Sequence, residues 1–270
     1  MNEVDIIRKI DAHMYESFLE NSAPANKDTE NVNPFGDTSI YWDIYMENSA
    51  IDAIKSLGIN TKLITEERGE ISFGEKPEYI IIIDPLDGSK NAKRGIPLYA
   101  YGISIAKYSK NPTNKHVLAS LIRLLEFDEV YIAETGKGAT KNGKKISPSK
   151  TTTLKEAFVS IDTASHGYDL SEYLERIHTL MTKIKDMRRF GANLIDMVYV
   201  ADSRLDAMVD LRGIFPSIHV SGWHILKESG AIIIDKSGKD LSFELSINSK
   251  MSFITAGTQE LADEILQIFK

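Results

Sequence analysis

The sequence of 270 residues contains no cysteine, which excludes disulfides, thiolate metal sites and cysteine nucleophiles. No segment approaches the ~18 apolar residues of a membrane-spanning helix. Met1 to Ile10 alternates charged and aliphatic residues and has no apolar signal core. Long basic runs are also absent, and the net charge of −7 argues against general nucleic-acid binding. These absences predict a soluble, cytoplasmic protein with no nucleic-acid or membrane partner.

The composition is that of an ordinary globular protein, with 42% hydrophobic and 26% charged residues. The length is at the upper end for one domain and suits two packed halves. Residues 145–155, rich in Lys, Ser, Pro and Thr, form the most linker-like stretch. We therefore predict an α+β half over residues 1–150, carrying most metal ligands, and an α/β half over residues 151–270 that binds substrate.

Hydrophobic periodicity predicts alternating helices and strands. The predicted helices cover residues 4–19, 38–57, 170–184, 191–201, 218–228 and 260–269. The predicted strands cover residues 62–65, 79–84, 101–108, 117–125, 129–134, 157–161, 207–210, 231–235 and 252–256. A hairpin is expected at Asn142-Gly143, and residues 21–38 are expected to form a loop.

Residues 79–91 are the most informative segment. Their four consecutive isoleucines predict a strand that is buried on both faces. We expect the strand to end at Asp84, because Pro85 lacks a backbone donor.

Two carboxylates three positions apart, Asp84 and Asp87, follow this strand. With the carbonyl of Leu86 they offer hard oxygen ligands for Mg²⁺. A helix that begins near Gly88 would direct free N–H groups at a phosphate. The alternative is a strand exit with two solvated aspartates.

Two further acidic pairs lie upstream. Glu66-Glu67 ends a short strand, and Asp43 and Glu47 are one turn apart on a predicted helix. Both pairs also fit simple solvated surfaces, a turn in the first case and an exposed helix face in the second.

The string from Asp84 to Ser89 resembles the DPxDGT motif of the inositol monophosphatase-like family of Mg²⁺-dependent, Li⁺-sensitive phosphomonoesterases. The resemblance covers about residues 1–265. It implies an α/β fold built as an alternating α-β-α-β-α layered sandwich. It also implies hydrolysis by in-line attack of a metal-activated water, with two or three Mg²⁺ ions as cofactors.

The same resemblance assigns roles to the acidic residues. It implies metal binding by Glu66, Asp84, Leu86 and Asp87, and catalytic roles for Glu66, Ser89 and Asp43. Ser89 stands where the family has threonine, which keeps the hydroxyl and removes only the β-methyl. Asp43 would accept a hydrogen bond from Ser89, so that the pair orients the attacking water.

Two strings further along resemble substrate-binding segments of the family. Residues 188–193 resemble R-x-x-G-S-A, and residues 199–206 resemble YVAxGxxD. Together with the DPxDGT-like turn they imply substrate binding by Gly88, Ser89, Arg189, Gly191, Asn193, Arg204 and Asp210. The alternative for the arginine-rich string is an amphipathic helix with a basic edge.

The sequence departs from the family at Trp223-His224, where the motif W-D-x-A-A-G has an aspartate that holds the second metal. We place His224 in that metal position, with Mn²⁺ or Zn²⁺ as possible cations because imidazole is a softer ligand. The alternative is a structural histidine.

The resemblance implies a phosphatase of the archaeal type that acts on inositol 1-phosphate, fructose 1,6-bisphosphate or both. The predicted partner is thus a small sugar or polyol phosphate, and the family implies a homodimer. Two alternatives remain: a 3′-phosphoadenosine 5′-phosphate phosphatase, and a non-catalytic sugar-phosphate-binding homologue suggested by His224.

Overall fold

The computed structural model of the protein describes residues 1–21, 27–34 and 38–270. The predicted loop over residues 21–38 lies partly outside these ranges. Within them, the strands β1 (Asp28–Val32) and β2 (Thr38–Ile40) pair antiparallel, which the sequence pattern did not predict.

The helices of the described residues are α1 (Glu3–Glu20), α2 (Tyr41–Leu57), α3 (Ser89–Lys93), α4 (Ser171–Met181), α5 (Asn193–Ala201), α6 (Val220–Ser229) and α7 (Gln259–Phe269). The further strands are β3 (Thr61–Thr65), β4 (Gly69–Phe73), β5 (Tyr79–Asp87), β6 (Ala100–Lys107), β7 (Val117–Leu124), β8 (Glu129–Glu134), β9 (Gly138–Lys141), β10 (Lys144–Lys145), β11 (Phe158–Ile161), β12 (Asp186–Arg188), β13 (Ala207–Pro216), β14 (Ile232–Ile234) and β15 (Lys250–Ala256). None of the helices in these ranges has the length and apolar character needed to cross a membrane.

Two large sheets organise the molecule. One has eight strands in the order β10-β9-β8-β7-β6-β5-β3-β4, and the other has five in the order β12-β11-β13-β15-β14. Helices α1 and α2 pack on one face of the larger sheet, α5 and α6 lie between the sheets, and α4 and α7 cover the outer face of the smaller sheet. The predicted α-β-α-β-α layering is confirmed.

The isoleucine run of β5 is buried on both faces, as predicted. Ile80 and Ile82 belong to the core shared with α5, α6 and the smaller sheet. Ile81 and Ile83 belong to the core under α1 and α2. Strand β5 therefore lies between two cores, which fixes the position of the residues that follow it.

The prediction that β5 ends at Asp84 is wrong, because the strand continues to Asp87. Asp84 pairs with Gly102 of β6, and Asp87 pairs with Ala100, with a register shift between the two pairs. Strand β5 has one residue more than β6 over this interval, which makes a β-bulge. Pro85, which cannot donate a ladder hydrogen bond, lies inside this bulge.

The hairpin predicted at Asn142-Gly143 is confirmed. It joins β9 to β10, and both residues have positive φ, 47° and 77°. These are the values of the tight turn that Asn-Gly favours. The proposed division near residue 150 stays a prediction, and one core contains residues from both sides of it.

Candidate active site

The pairing of β3 with β5 brings two acidic segments together. The strands are parallel, and Thr65 lies opposite Ile83, so Glu66, which follows β3, comes next to Asp84 of β5. Burial raises the pKa of Glu66 well above its usual value, and the negative charge of Asp84, Glu67 and Asp43 raises it further. A group of carboxylates this close favours a bound cation.

The turn after β5 requires glycine. Gly88 has a φ of 88°, and a Cβ there would lie 2.7 Å from the carbonyl oxygen of Leu98. Helix α3 begins at the next residue, Ser89, which meets the condition set for phosphate binding at this turn. Asn91 holds the turn by donating 2.8 Å hydrogen bonds from Nδ2 to the carbonyl oxygens of Leu98 and Phe190.

A histidine that the sequence analysis did not select completes the group. His219 follows β13 in a short 3₁₀ turn, and its Nε2 lies 3.1 Å from Asp84 Oδ2 and 3.7 Å from Asp87 Oδ1. One ligand atom from each of these three buried residues lies within 4.8 Å of the others. The arrangement can hold a metal ion.

The electrostatics of this group favour positive charge. Burial alone would lower the pKa of His219, but its interactions with Asp84 and Asp87 raise it to about 10. Burial raises the pKa of Asp87, while His219 and the backbone N–H of Leu194, at 2.6 Å, lower it in part. The carboxylates therefore stabilise a cation at this position, whether it is a proton or a metal ion.

The structure does not bring His224 to the carboxylates, which corrects its placement in the metal site. His224 Nδ1 lies 2.9 Å from Ser120 Oγ, and Nε2 lies 3.0 Å from Thr135 Oγ1. Both ring nitrogens are thus engaged by hydroxyls between α6 and the larger sheet. Burial lowers the pKa of His224 to about 4, so the ring is neutral at ordinary pH.

A cavity of about 380 Å³ opens beside the group. Its lining includes the predicted residues Glu66, Asp84, Leu86, Asp87, Gly88, Ser89, Arg189, Gly191 and Asn193. The rest of the lining is formed by Lys90, Asp162, Ala164, His166, Tyr168, Arg212, Ile214, Pro216, His219 and Lys250. The metal-binding and substrate-binding segments therefore meet at one cavity.

Two predicted substrate-binding residues have other surroundings. Arg204 donates to Glu129 at 2.5 and 2.7 Å and lies over the ring of Tyr199. Asp210 is fully buried and accepts from the backbone N–H and the side chain of Arg212. Neither residue is in the lining of the cavity. Glu129 thus holds Arg204, and Arg212, which itself lines the cavity, holds Asp210; substrate binding by Arg204 and Asp210 stays a prediction.

Asp162 lines the cavity together with Arg189 and Arg212. It accepts from Arg212 Nη2 at 2.9 Å and from Arg189 Nη2 at 3.0 Å. Burial would raise the pKa of Asp162, but Arg212, the N–H of Ala164 and Arg189 together lower it. Asp162 directly follows the parallel strand β11, and the carboxyl end of such a strand is a common ligand position. That signal was available in the sequence.

A second cavity, of about 390 Å³, shares Glu66 and Ser89 with the first and is also lined by Asp43. In the first turn of α2, Asp43 caps the helix by accepting from the N–H of Ile40 at 2.7 Å. Asp43 and Ser89 thus face one space, as their predicted partnership requires.

Glu47, the second acid of the Asp43–Glu47 pair, holds the turn after β3 through hydrogen bonds. Glu47 Oε1 accepts from the N–H groups of Glu67 and Arg68 at 3.2 and 3.1 Å. Glu67 in turn accepts from the hydroxyl of Ser39. The simple reading of these acids as solvated surface is wrong, because Asp43, Glu47 and Glu67 are all buried.

The fold and the site define a class of protein, a layered α/β protein with carboxylates and a histidine around a polar cavity. The model of the inositol monophosphatase family matches residues 7–270, so the chain belongs to that family. The resemblance drawn from the sequence is confirmed, and with it the class of phosphoric monoester hydrolase at the level of the family.

Curated relatives support this membership. A fructose-1,6-bisphosphatase/inositol-1-monophosphatase of Methanocaldococcus jannaschii is 32% identical over 238 residues, 88% of this chain and 87% of that protein. A bifunctional NADP phosphatase/NAD kinase of Methanococcus maripaludis is 30% identical over 243 residues, 84% of this chain. The match spans only 42% of the length of that second relative.

Solved structures agree on the fold. The crystal structure of an inositol monophosphatase-fructose 1,6-bisphosphatase superposes with a TM-score of 0.81 and 28% identity, covering 99% of this chain and all of that one. The extragenic suppressor protein SuhB from Bartonella henselae superposes with a TM-score of 0.83 at 22% identity, covering 99% and 98% of the two chains.

Proposed function

We propose that the protein is a divalent-cation-dependent phosphomonoesterase that hydrolyses inositol 1-phosphate, fructose 1,6-bisphosphate or both. The observation that carries the proposal is the convergence of Glu66, Asp84, Asp87 and Ser89 on one cavity. This combination of hard oxygen ligands and a hydroxyl suits hydrolysis of a phosphate ester.

Two cation positions fit the residues present. Glu66, Asp84 and the carbonyl of Leu86 offer an all-oxygen set of the kind Mg²⁺ prefers. Asp84, Asp87 and His219 offer the second set. These residues would hold divalent cations, which would supply a lower pKa for bound water and neutralise charge on the phosphate and the leaving oxygen.

The protein's own groups position the reactants. Ser89 and Asp43 orient the attacking water, with Glu66 as the neighbouring carboxylate. Gly88 and Ser89 present the start of α3 to the phosphate, and Gly191 and Asn193 also line the cavity. Arg189 and Lys250 add positive charge to the cavity, which favours an anionic substrate. Attack forms a bond from water oxygen to phosphorus, and the bond from phosphorus to the alcohol oxygen breaks.

A nucleotide substrate is a second candidate. The Methanococcus maripaludis relative, named as an NADP phosphatase, matches most of this chain. Tyr168, 60% exposed, and His166 line the outer part of the cavity and offer flat rings to a base. The 3′-phosphoadenosine 5′-phosphate alternative would use the same surface.

The test is phosphate release from each substrate by the purified protein. Inositol 1-phosphate, fructose 1,6-bisphosphate, NADP and 3′-phosphoadenosine 5′-phosphate are compared at equal concentration, with Mg²⁺ or Mn²⁺ and with a chelator. We expect cation-dependent release that is fastest with a sugar or polyol phosphate. No release from any of them would favour a non-catalytic binding protein, and faster release from a nucleotide would favour the second candidate.

We also propose a homodimer, as the family resemblance implies. Light scattering behind a sizing column gives the mass directly, and a mass near that of one chain would contradict the proposal.

A further inference from the structure

Three features of His219 bear on which cation the protein binds. The ring nitrogens have different partners, the ring is held by packing, and the opposing carboxylate oxygen is buried. The inference drawn from them rests on the proposed cation dependence of the enzyme.

The tautomer of His219 is fixed by its backbone. Nδ1 lies 3.2 Å from the carbonyl oxygen of Pro216, and a carbonyl only accepts, so Nδ1 carries the proton. In the neutral ring, Nε2 then holds a lone pair, and Nε2 is the atom that faces Asp84 and Asp87. A hydrogen bond from one ring nitrogen to a carbonyl is the usual support of a metal-ligating histidine.

The ring is also held in place by packing. Its centroid lies 4.9 Å from that of the fully buried Phe215, and His219 itself is 6% exposed. His219 immediately precedes α6, so the helix and β13 fix its backbone on either side. A ligand that is already in position loses little entropy on binding.

Across from Nε2, Asp84 presents an electron-rich oxygen. Asp84 Oδ2 is buried and has no hydrogen-bond partner of good geometry among the described residues. The 3.1 Å contact with Nε2 therefore places two potential donor atoms around one space. Asp87 Oδ1 adds a third.

We propose that the Asp84–Asp87–His219 position selects a first-row transition cation, such as Mn²⁺ or Zn²⁺, over Mg²⁺. Imidazole nitrogen suits these cations, while Mg²⁺ prefers an all-oxygen shell. The neighbouring position of Glu66, Asp84 and Leu86 has only oxygen ligands and keeps the ordinary preference. The two positions therefore differ in the cation that each binds best.

The experiment measures binding without substrate. Mn²⁺ is titrated calorimetrically into metal-free protein in a large excess of Mg²⁺, with wild type, His219→Asp and the control His178→Asp. His178 is an exposed histidine on α4. We expect the ratio of Mn²⁺ to Mg²⁺ affinity to fall on the order of tenfold or more in His219→Asp, the scale on which changes around a metal shift affinity. His178→Asp should match wild type.

Pulsed electron paramagnetic resonance gives a second measure. Mn²⁺ bound to imidazole shows nitrogen hyperfine coupling, which we expect in wild type and in His166→Gln but not in His219→Asp. The His166 variant removes the other histidine of the cavity lining. If His219→Asp does not fold, nitrogen coupling in both wild type and His166→Gln still shows that a histidine other than His166 binds Mn²⁺.

Two results would overturn the inference: no nitrogen coupling in wild type, or an affinity ratio unchanged in a folded His219→Asp protein. Loss of the phosphatase proposal has a different signature. It would be absence of phosphate release with every cation, while the Mn²⁺ binding and its nitrogen coupling persist.

Discussion

At the scale of single residues, Asp84 has the most demanding position, since the proposed mechanism assigns it to both cation positions and it is buried. Asp84→Asn keeps the shape and removes the negative charge. We expect the rate of cation-dependent phosphate release to fall at least ~100-fold. Mutating a residue that only supports a metal ligand already lowers metal affinity or activity about 10–100-fold, and Asp84 is proposed as a ligand itself. Steady-state assays at saturating cation measure this, with Glu66→Gln expected to behave alike.

The matched control for this change is Asp52→Asn, an exposed aspartate on α2. Near-normal turnover by a folded Asp84→Asn protein would disprove the proposed mechanism.

Ser89 provides a second prediction at this scale. Ser89→Ala should reduce kcat by a factor on the order of 10²–10⁴, typical of a group that positions a proton-transfer partner. Ser89→Thr retains the hydroxyl and should cost little. Comparing kcat with KM for the two variants measures the effect. An alanine variant as fast as the threonine variant would show that the hydroxyl does not orient the water.

At the scale of elements, His224 links α6 to the larger sheet. Its Nδ1 contacts Ser120, whose hydroxyl lies 2.8 Å from that of Ser104 on the next strand. Burial lowers the pKa of His224 to about 4, against an unfolded value of about 6.5. As the pH falls, the unfolded chain therefore protonates this histidine before the folded protein does. The free energy of unfolding is unaffected by this group above about pH 6.5 and decreases as the pH falls toward 4.

At the acidic end of this pH range, the free energy of unfolding should be lower by about 3 kcal/mol because of His224. Replacing His224 by Gln removes the titration, so the stability of the variant should depend less on pH between 4 and 6.5. Urea unfolding at a series of pH values measures the difference, with His178→Gln as the exposed control. Parallel pH curves for wild type and His224→Gln would contradict the assignment.

The elements also show what the sequence could and could not predict. The isoleucine strand and the Gly88 turn follow from local patterns, since periodicity and turn residues act over short distances. The layers were implied by the family resemblance. The placement of His219 and His224 depended on tertiary register. Both histidines lie in the segment from Ile218 to Glu228, and only the packing of α6 decides which one meets Asp84. Arg204 pairs with Glu129, which is distant in the sequence, and such an ion pair leaves no local signal. The pair of Asp210 and Arg212 is local, two positions apart on β13, and could have been read from the sequence.

At the scale of the whole molecule, the site joins the two sheets. Asp87, on the larger sheet, accepts from the N–H of Leu194 on α5 and lies near His219, which follows the smaller sheet. A bound cation should therefore stabilise both parts together, by about 2.7 kcal/mol at ~100 times its Kd.

We expect a single thermal transition that moves to higher temperature with Mn²⁺, and a much smaller shift in Asp84→Asn. Differential scanning calorimetry measures both proteins. A cation effect confined to one of two separate transitions would argue against this coupling.

The bulge in β5 determines to which face of the sheet Asp84 and Asp87 point. Along a regular strand, side chains three positions apart point to opposite faces, so Asp84 and Asp87 would be separated by the sheet itself. The one extra residue around Pro85 turns that odd spacing into an even one and allows both carboxylates to face His219. A regular strand that kept all three steps between the two aspartates would send one of them to the other face, and no substitution at either aspartate could restore the pair.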